Sequence, residues 1–399
     1  MITRSTVRAV NALSARWART FAGDGTAFTA LGVWPLLGLL AHGADGDARH
    51  ELTEAVGVPA ERAAEEARPL LAAVDRMPGV RSAVGLWTDL RAPVWPDWLA
   101  ALPAGTHGGL TGDAAADRAA LDAWAAGHTG GEIGSLPVVL DDDTRLVLAS
   151  ALKVRTDWIR PFQSWPGWPA DTGPWAELEC EVLCRTTQLL DRVGVAETPA
   201  GPLTMLQVVG GNGIDVHLVL GAEQAGAGQV LQAAVEVLDR KHPLVPGDRL
   251  SLGTPGPGLT LERVPSMNPD PRLHVTAVPF AVNASHDLLA QAGLFGLRTA
   301  ADTSRGHFPG VSAEPLAVGS AAQNAMATFG PRGFRAAAVT AIDLVAVGVP
   351  QYPYRALSAD VRFDRPFGFL AVHRTSRLVL TAGWVDRPAI APVPTPTGD

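Results

Sequence analysis

Few side chains here are of types that do chemistry unaided. Lysine occurs only at positions 153 and 241, and every other basic residue is Arg. Lys153 lies in LVLASALKV (146–154), an almost unbroken apolar run. A lysine stripped of water gives up its proton more readily and can serve as nucleophile or base. Its long stem can equally carry the ammonium past a covering helix to solvent. Strand parity puts Lys153 on the face opposite Ser150, and this packing role is the preferred reading. The ten histidines show no HxxxH or His-Cys spacing. His217 and His274 fall in strand-like runs and are expected to be hydrogen-bonded structural residues. Cys180 and Cys184 are too few for a four-ligand zinc site and are expected to be free, buried thiols. Asp141–Asp143 reads as a solvated Asp turn rather than a metal cluster. GGNG (210–213) reads as a hairpin turn, because no helix with GK[ST] follows it. GxSxG, HExxH and the kinase set are absent from the sequence. No catalytic residue, metal site or cofactor is therefore expected, and an enzymatic role has no motif behind it.

The elements around these residues change in texture along the chain. Val7, Val10, Leu13, Trp17 and Phe21 make one apolar face of an opening helix. FTALGVWPLLGLLAHGA (28–44) is apolar nearly all round, as a buried helix is. Glu51–Val58, Ala60–Leu71 and Asp117–His128 read as further helices, and Val80–Leu86 as a strand. The run at 146–154 predicts a strand covered on both faces. QSWPGWPADTGPWA (163–176) reads as irregular loop. LTMLQVV, IDVHLVLG, RLHVTAVPF, AMATF and RLVLTAGWV predict strands, while Ala225–Arg240 and Ser285–Leu294 predict helices. A helical half followed by a strand-rich half, without a linker or repeat, indicates one α+β domain over 1–388. The tail 389–399 is expected to be disordered.

Composition narrows the classes. With 47% apolar and 18% charged residues in 399, a large core is expected. A net charge of −8 argues against a nucleic-acid partner. The longest greasy stretch, 33–41, is too short to span a bilayer and contains Pro35. The opening residues lack the apolar core of a secretory signal, so a soluble, cytoplasmic protein is expected. The preference for Arg over Lys, with abundant Ala, Gly and Pro, fits a GC-rich, bacterial genome.

Several segments, in order, resemble the serpin family. ALDAWAAGHTGGEIGSLPVVLDDDTRLVLASALKVRTDWIRPF (120–162) is similar to its helix, turn, central strand and Trp-x-x-Pro-Phe close, with Trp158 at the top of the sheet. FTALGVWPLLGLLAHGADGDAR (28–49) resembles its second helix. Residues 304–341 resemble the approach to its reactive loop, and VRFDRPFGFLAVHRTSRLVLTAGWVDRP (361–388) its C-terminal signature. The resemblance implies a serpin fold: three β-sheets, eight or nine helices and an exposed loop near the C-terminus, here within 333–362. In inhibitory members, a protease cuts the loop and is trapped while the loop enters the main sheet as a new strand.

Aligned on its Gly, the hinge is Gly333, Phe334, Arg335, Ala336, Ala337 and Ala338. The scissile bond then falls near Val347–Gly348, with Ala346 just before it, and would suit an elastase- or subtilisin-like serine protease. The small-residue run favours a working loop. The departures do not. Phe334 stands where inhibitory members place a small residue, and a large ring there is expected to overpack the sheet. Pro331 and Phe280 replace both halves of the family's ion pair. Thr29, Gly32, Ser150 and Gln323 replace its Ser, Ser, Asn and His switch cluster. The stretch from Gly333 to Phe363 is about eight residues longer than the common inhibitory length. The apolar segment 344–350 is expected to pack on the body. The expectation is a non-inhibitory or weakly inhibitory binding protein for a peptide or small molecule, with a functional protease trap as the alternative and recruitment of the fold as an enzyme in a biosynthetic pathway as a third reading. Oligomeric state is not legible.

Overall fold

The computed structural model describes residues 2–131, 133–141, 143–334 and 352–389. Among them are eight α-helices: α1 (Arg4–Ala18), α2 (Ala30–Gly43), α3 (Gly46–Val56), α4 (Ala60–Val74), α5 (Pro96–Ala101), α6 (Ala114–Thr129), α7 (Ala227–Leu238) and α8 (Ala292–Phe295). The first ten strands are β1 (Thr26–Phe28), β2 (Val80–Asp89), β3 (His107–Leu110), β4 (Leu146–Val154), β5 (Thr156–Asp157), β6 (Gln163–Gly167), β7 (Cys180–Thr187), β8 (Val193–Thr198), β9 (Gly201–Val208) and β10 (Ile214–Leu220). The rest are β11 (Leu244–Pro246), β12 (Gly253–Gly256), β13 (Leu259–Ser266), β14 (Arg272–Ala277), β15 (Phe280–Asp287), β16 (Ser320–Phe329), β17 (Gly333–Phe334), β18 (Tyr354–Arg362), β19 (Phe367–His373) and β20 (Val379–Val385).

Three large sheets carry the architecture. A seven-stranded sheet has the order β1-β20-β19-β10-β9-β8-β11, a six-stranded sheet β12-β13-β18-β14-β7-β6, and a five-stranded sheet β15-β16-β4-β2-β3. Helix α2 fills the centre because its sequence has no polar face. Every residue in it except His42 is buried, and Gly38 lets α4 approach so closely that a Cβ would stand 2.9 Å from that of Ala63. Helix α1 starts where the Thr3 hydroxyl accepts from the Thr6 N–H at 3.1 Å, and it buries Val7, Val10, Leu13 and Trp17 on one face. Helix α6 covers the other face of the five-stranded sheet, where Leu121 and Ala125 pack on Val147, Ala149 and Ala151. Strand β4 is thus covered on both faces, as its unbroken apolar run requires.

Four expectations need correction. Residues 163–167 are not loop but β6, an edge strand, the place in a sheet where a proline such as Pro166 is tolerated. Ser285–Asp287 are not helical. They complete the β15 ladder against β16, and the helix there shrinks to Ala292–Phe295. The hairpin β12–β13 was not foreseen; β13 pairs with β18 from Leu259↔Val361 to Ser266↔Tyr354. Consequently 333–362 is not all loop: Gly333–Phe334 and Tyr354–Arg362 are strands, and β18 is held between β13 and β14. The expected tail begins with a residue that is bonded in place, since the Ala389 N–H donates to the Pro279 carbonyl.

Candidate functional site

Two regions draw together residues of interest. The first is the top of the five-stranded sheet. Strand β16 runs parallel to β4, and the chain then reverses through 330–332. Gly333 and Phe334 come back antiparallel to Asp157 and Thr156 of β5, the extension of β4. A Cβ on Gly333 would lie 2.4 Å from the Thr156 carbonyl oxygen, so the close approach demands glycine. The Phe334 ring is buried, with its centroid 6.0 Å from that of Phe369. The ring expected to overpack the sheet already has a seat at its head. Phe280 stacks on Phe329, directly opposite it across the β15–β16 ladder, at 5.3 Å, and lies 4.9 Å from Phe369. Trp158 lies 5.0 Å from Phe329 and donates its indole N–H to the Gly330 carbonyl at 2.9 Å. Stacked rings occupy the place where the resemblance implies an ion pair, and Pro331 offers its carbonyl to the Phe162 N–H.

Lower in the same sheet, all four switch residues meet. Gln323 is fully buried and faces Ser150 across the parallel ladder. Its Oε1 accepts from the Thr29 N–H at 2.8 Å. Its Nε2 donates to the Thr29 carbonyl at 2.8 Å and to Ser150 Oγ at 3.0 Å. A Cβ on Gly32 would lie 2.9 Å from Ser150 Oγ, so glycine makes room for the cluster. The amide thus pins α2 to the seam between β4 and β16.

The second region is a cleft of about 530 Å³ between the seven-stranded sheet, the end of α7 and the turn joining β19 to β20. Its buried carboxylate is Asp215. Arg374 grips it with Nη2 at 2.6 Å and Nε at 2.8 Å. Gln207 Nε2 donates to it at 2.7 Å and the Gly210 N–H at 3.1 Å. Burial alone would raise this carboxyl, but these bonds outweigh it and hold Asp215 below the usual carboxylate range. Gln207 Oε1 accepts in turn from Arg192 Nη1 at 2.9 Å. Burial pushes His217 down to about 4, with Arg377 adding to the effect and Asp215 opposing it. The buried His217 Nδ1 meets no partner among the described residues.

With this geometry in view, comparison with known proteins is direct. Residues 6–166 match the family model "Serpin (serine protease inhibitor)". Human thyroxine-binding globulin complexed with thyroxine superposes with a TM-score of 0.71 at 17% identity, covering 97% of this chain and 99% of that one. The chain has a serpin fold. Native protease nexin-1 with heparin matches at a TM-score of 0.69 and 16% identity, covering 97% and 100% of the two chains. The native state of Tengpin, a thermophilic serpin, gives 0.71 at 13%, covering 97% and 95%. No curated protein sequence matches.

In this serpin fold the main sheet has five strands and β17 stands at its head. Arg335, Ala336, Ala337, Ala338, Ala346, Val347 and Gly348 lie outside the described residues, as does 344–350. Lys153 is half-buried in β4, opposite Arg81 of β2. Cys180 and Cys184 are free, and burial pushes both thiols up, away from reactivity. Asp141 accepts from the Thr144 hydroxyl at 2.6 Å and from the Asp143 N–H at 3.2 Å, an Asp turn. No metal-binding cluster occurs among the described residues. His274 is hydrogen-bonded as expected, to Thr186 Oγ1 at 3.0 Å, whereas Nδ1 of His217 has no partner among the described residues. Sequence reasoning missed the cleft because its walls come from 191–192, 205–217, 237–244 and 372–377. The only advance signal was the interior His217 and Asp215 in one strand.

Proposed function

We propose that this serpin-fold protein is a binding protein whose ligand, a small molecule, occupies the cleft against the seven-stranded sheet, and that protease trapping is not its main role. The preformed cavity carries this reading. Its volume of about 530 Å³ falls in the range of small-molecule sites. It combines an apolar floor of Met205, Val237, Leu238 and Val372 with converging polar groups. A structural neighbour carries thyroxine, so the same scaffold can hold a small molecule. A cytoplasmic location belongs to the same proposal.

A second reading, a trap for elastase- or subtilisin-like proteases cut near Val347–Gly348, is favoured by one observation. Gly333 and Phe334 already stand antiparallel to β5 like the first two residues of a sixth strand. Thermal unfolding with a panel of aromatic small molecules, alongside electrophoresis after incubation with elastase and subtilisin, separates the two. The binding reading expects a compound-specific rise in Tm, no SDS-stable complex and no large rise in Tm after nicking. A covalent complex with stoichiometric protease loss would overturn it.

A further inference from the structure

Outside the cleft, one arginine sinks into the fold without a counter-charge. Arg185 is half-buried in β7, paired with Val275 of β14. Its guanidinium sits over the Phe162 ring, 4.3 Å from the centroid, and Nη1 donates to the Arg160 carbonyl at 2.9 Å. Its Nε is buried and meets no acceptor among the described residues. Arg160 reaches across in the opposite sense. Its Nη1 donates at 2.9 Å to Oγ1 of Thr187, which lies on the same face of β7 as Arg185. The two guanidinium groups therefore cross one gap, where the 158–162 turn meets β7.

The charges acting on Arg185 share its own sign. Burial first, then Arg160 and Arg192, push it down to about 10. The hydrogen bonds of Arg160 and Arg185 go to a hydroxyl and a carbonyl, both neutral. The carboxylates beyond the end of β7 are engaged elsewhere: Asp191 lies 3.8 Å from Arg192, and Asp270 accepts from Gln188 Nε2 at 3.3 Å. Arg192 adds to the imbalance, since its own buried Nε has no hydrogen-bond partner among the described residues. Taking an arginine out of water is offset only where a counter-charge and hydrogen bonds satisfy it. In a chain with 40 acidic against 32 basic residues, this gap holds an excess of positive charge.

We infer that Arg160 and Arg185 form a clamp for a small oxyanion, which bridges the 158–162 turn and β7. Phosphate, sulfate and a carboxylate share the chemistry that a guanidinium fork grips. The Phe162 ring holds one fork in place beforehand, so little side-chain freedom is lost on binding. The same turn carries Trp158 and Phe162, whose rings lie 5.0 and 5.8 Å from Phe329. A bound oxyanion thus ties the head of the five-stranded sheet to the six-stranded sheet. Neither arginine lines the cleft, so the clamp stands apart from the ligand proposed there.

Calorimetry and thermal unfolding of the whole chain, with phosphate, sulfate or acetate added at fixed ionic strength, test it. At least one should bind saturably and raise Tm, and the strongest of the three names the preferred anion. Its affinity should fall when sodium chloride is raised in a separate series. Arg160→Gln, at an exposed position, should weaken binding ten-fold or more with the anion-free Tm little changed. Arg185→Met keeps an apolar stem on Phe162 and removes the unpaired charge. It should abolish binding and leave the anion-free Tm equal or higher; should it fail to fold, Arg160→Gln alone decides. A Tm rise that never saturates and is the same in the variants is a general salt effect and would overturn the clamp. Full affinity in the variants, or no binding of any of the three anions, would overturn it equally.

Discussion

The head of the five-stranded sheet and the arginine cleft are opposite solutions to placing special residues. The head is dry. Phe280, Phe329, Phe334, Phe369 and Trp158 interlock there, and a glycine is pressed against a carbonyl. The cleft is open and charged, with a carboxylate gripped by one arginine while others face solvent. Any event at the head must unpack rings, whereas the cleft is already an open cavity of about 530 Å³. A site of stacked rings suits stability until something forces it open.

Substitutions should expose this contrast. Phe280→Ala, which removes a ring touching both Phe329 and Phe369, should cost about 3–5 kcal/mol in chemical denaturation. A loss below about 1 kcal/mol would show that the head is loosely packed and would blur the distinction. Lowering pH should act on the cleft. His217 binds its proton near pH 4 when folded and near 6.5 when unfolded, so the unfolded chain holds more protons between those values. Stability should therefore fall as pH drops from about 6.5 to 4, by up to about 3 kcal/mol from this residue. Denaturation curves of His217→Asn should show a shallower slope across that window.

The seam beneath the head offers smaller effects. Gly32→Ala pushes a methyl into Ser150 and should cost about 1–3 kcal/mol. Ser150→Ala removes one acceptor from the Gln323 amide and should cost about 1 kcal/mol. If Ser150→Ala also relieves Gly32→Ala in the double variant, the two share one contact.

Much of the frame was legible because burial writes itself into composition. The apolar run at 146–154 and the greasy helix at 30–43 are readable since each is covered on every side. Thr29, Ser150 and Gln323 come together because each belongs to an element with strong local pattern. What was hidden depends on neighbours far along the chain. The seat of Phe334 is made by Phe369, so its ring looked like an obstacle in the sequence. GTPGPGLTLERVPS (253–266) reads as turn and mixed polarity, yet its backbone donors and acceptors find β18. The cleft had no motif because its arginines are spread from 192 to 377. The left-handed backbone of Arg240 and Arg377 appears only once the turns are built.

The long β18 has a mechanical meaning of its own. Residues 352–389 contribute one strand to the interior of the six-stranded sheet and two to the seven-stranded sheet. A peptide-bond break anywhere in 335–351 would therefore split the covalent chain without freeing either piece. Such a nicked molecule would travel as one particle in gel filtration and part into two bands only when denatured.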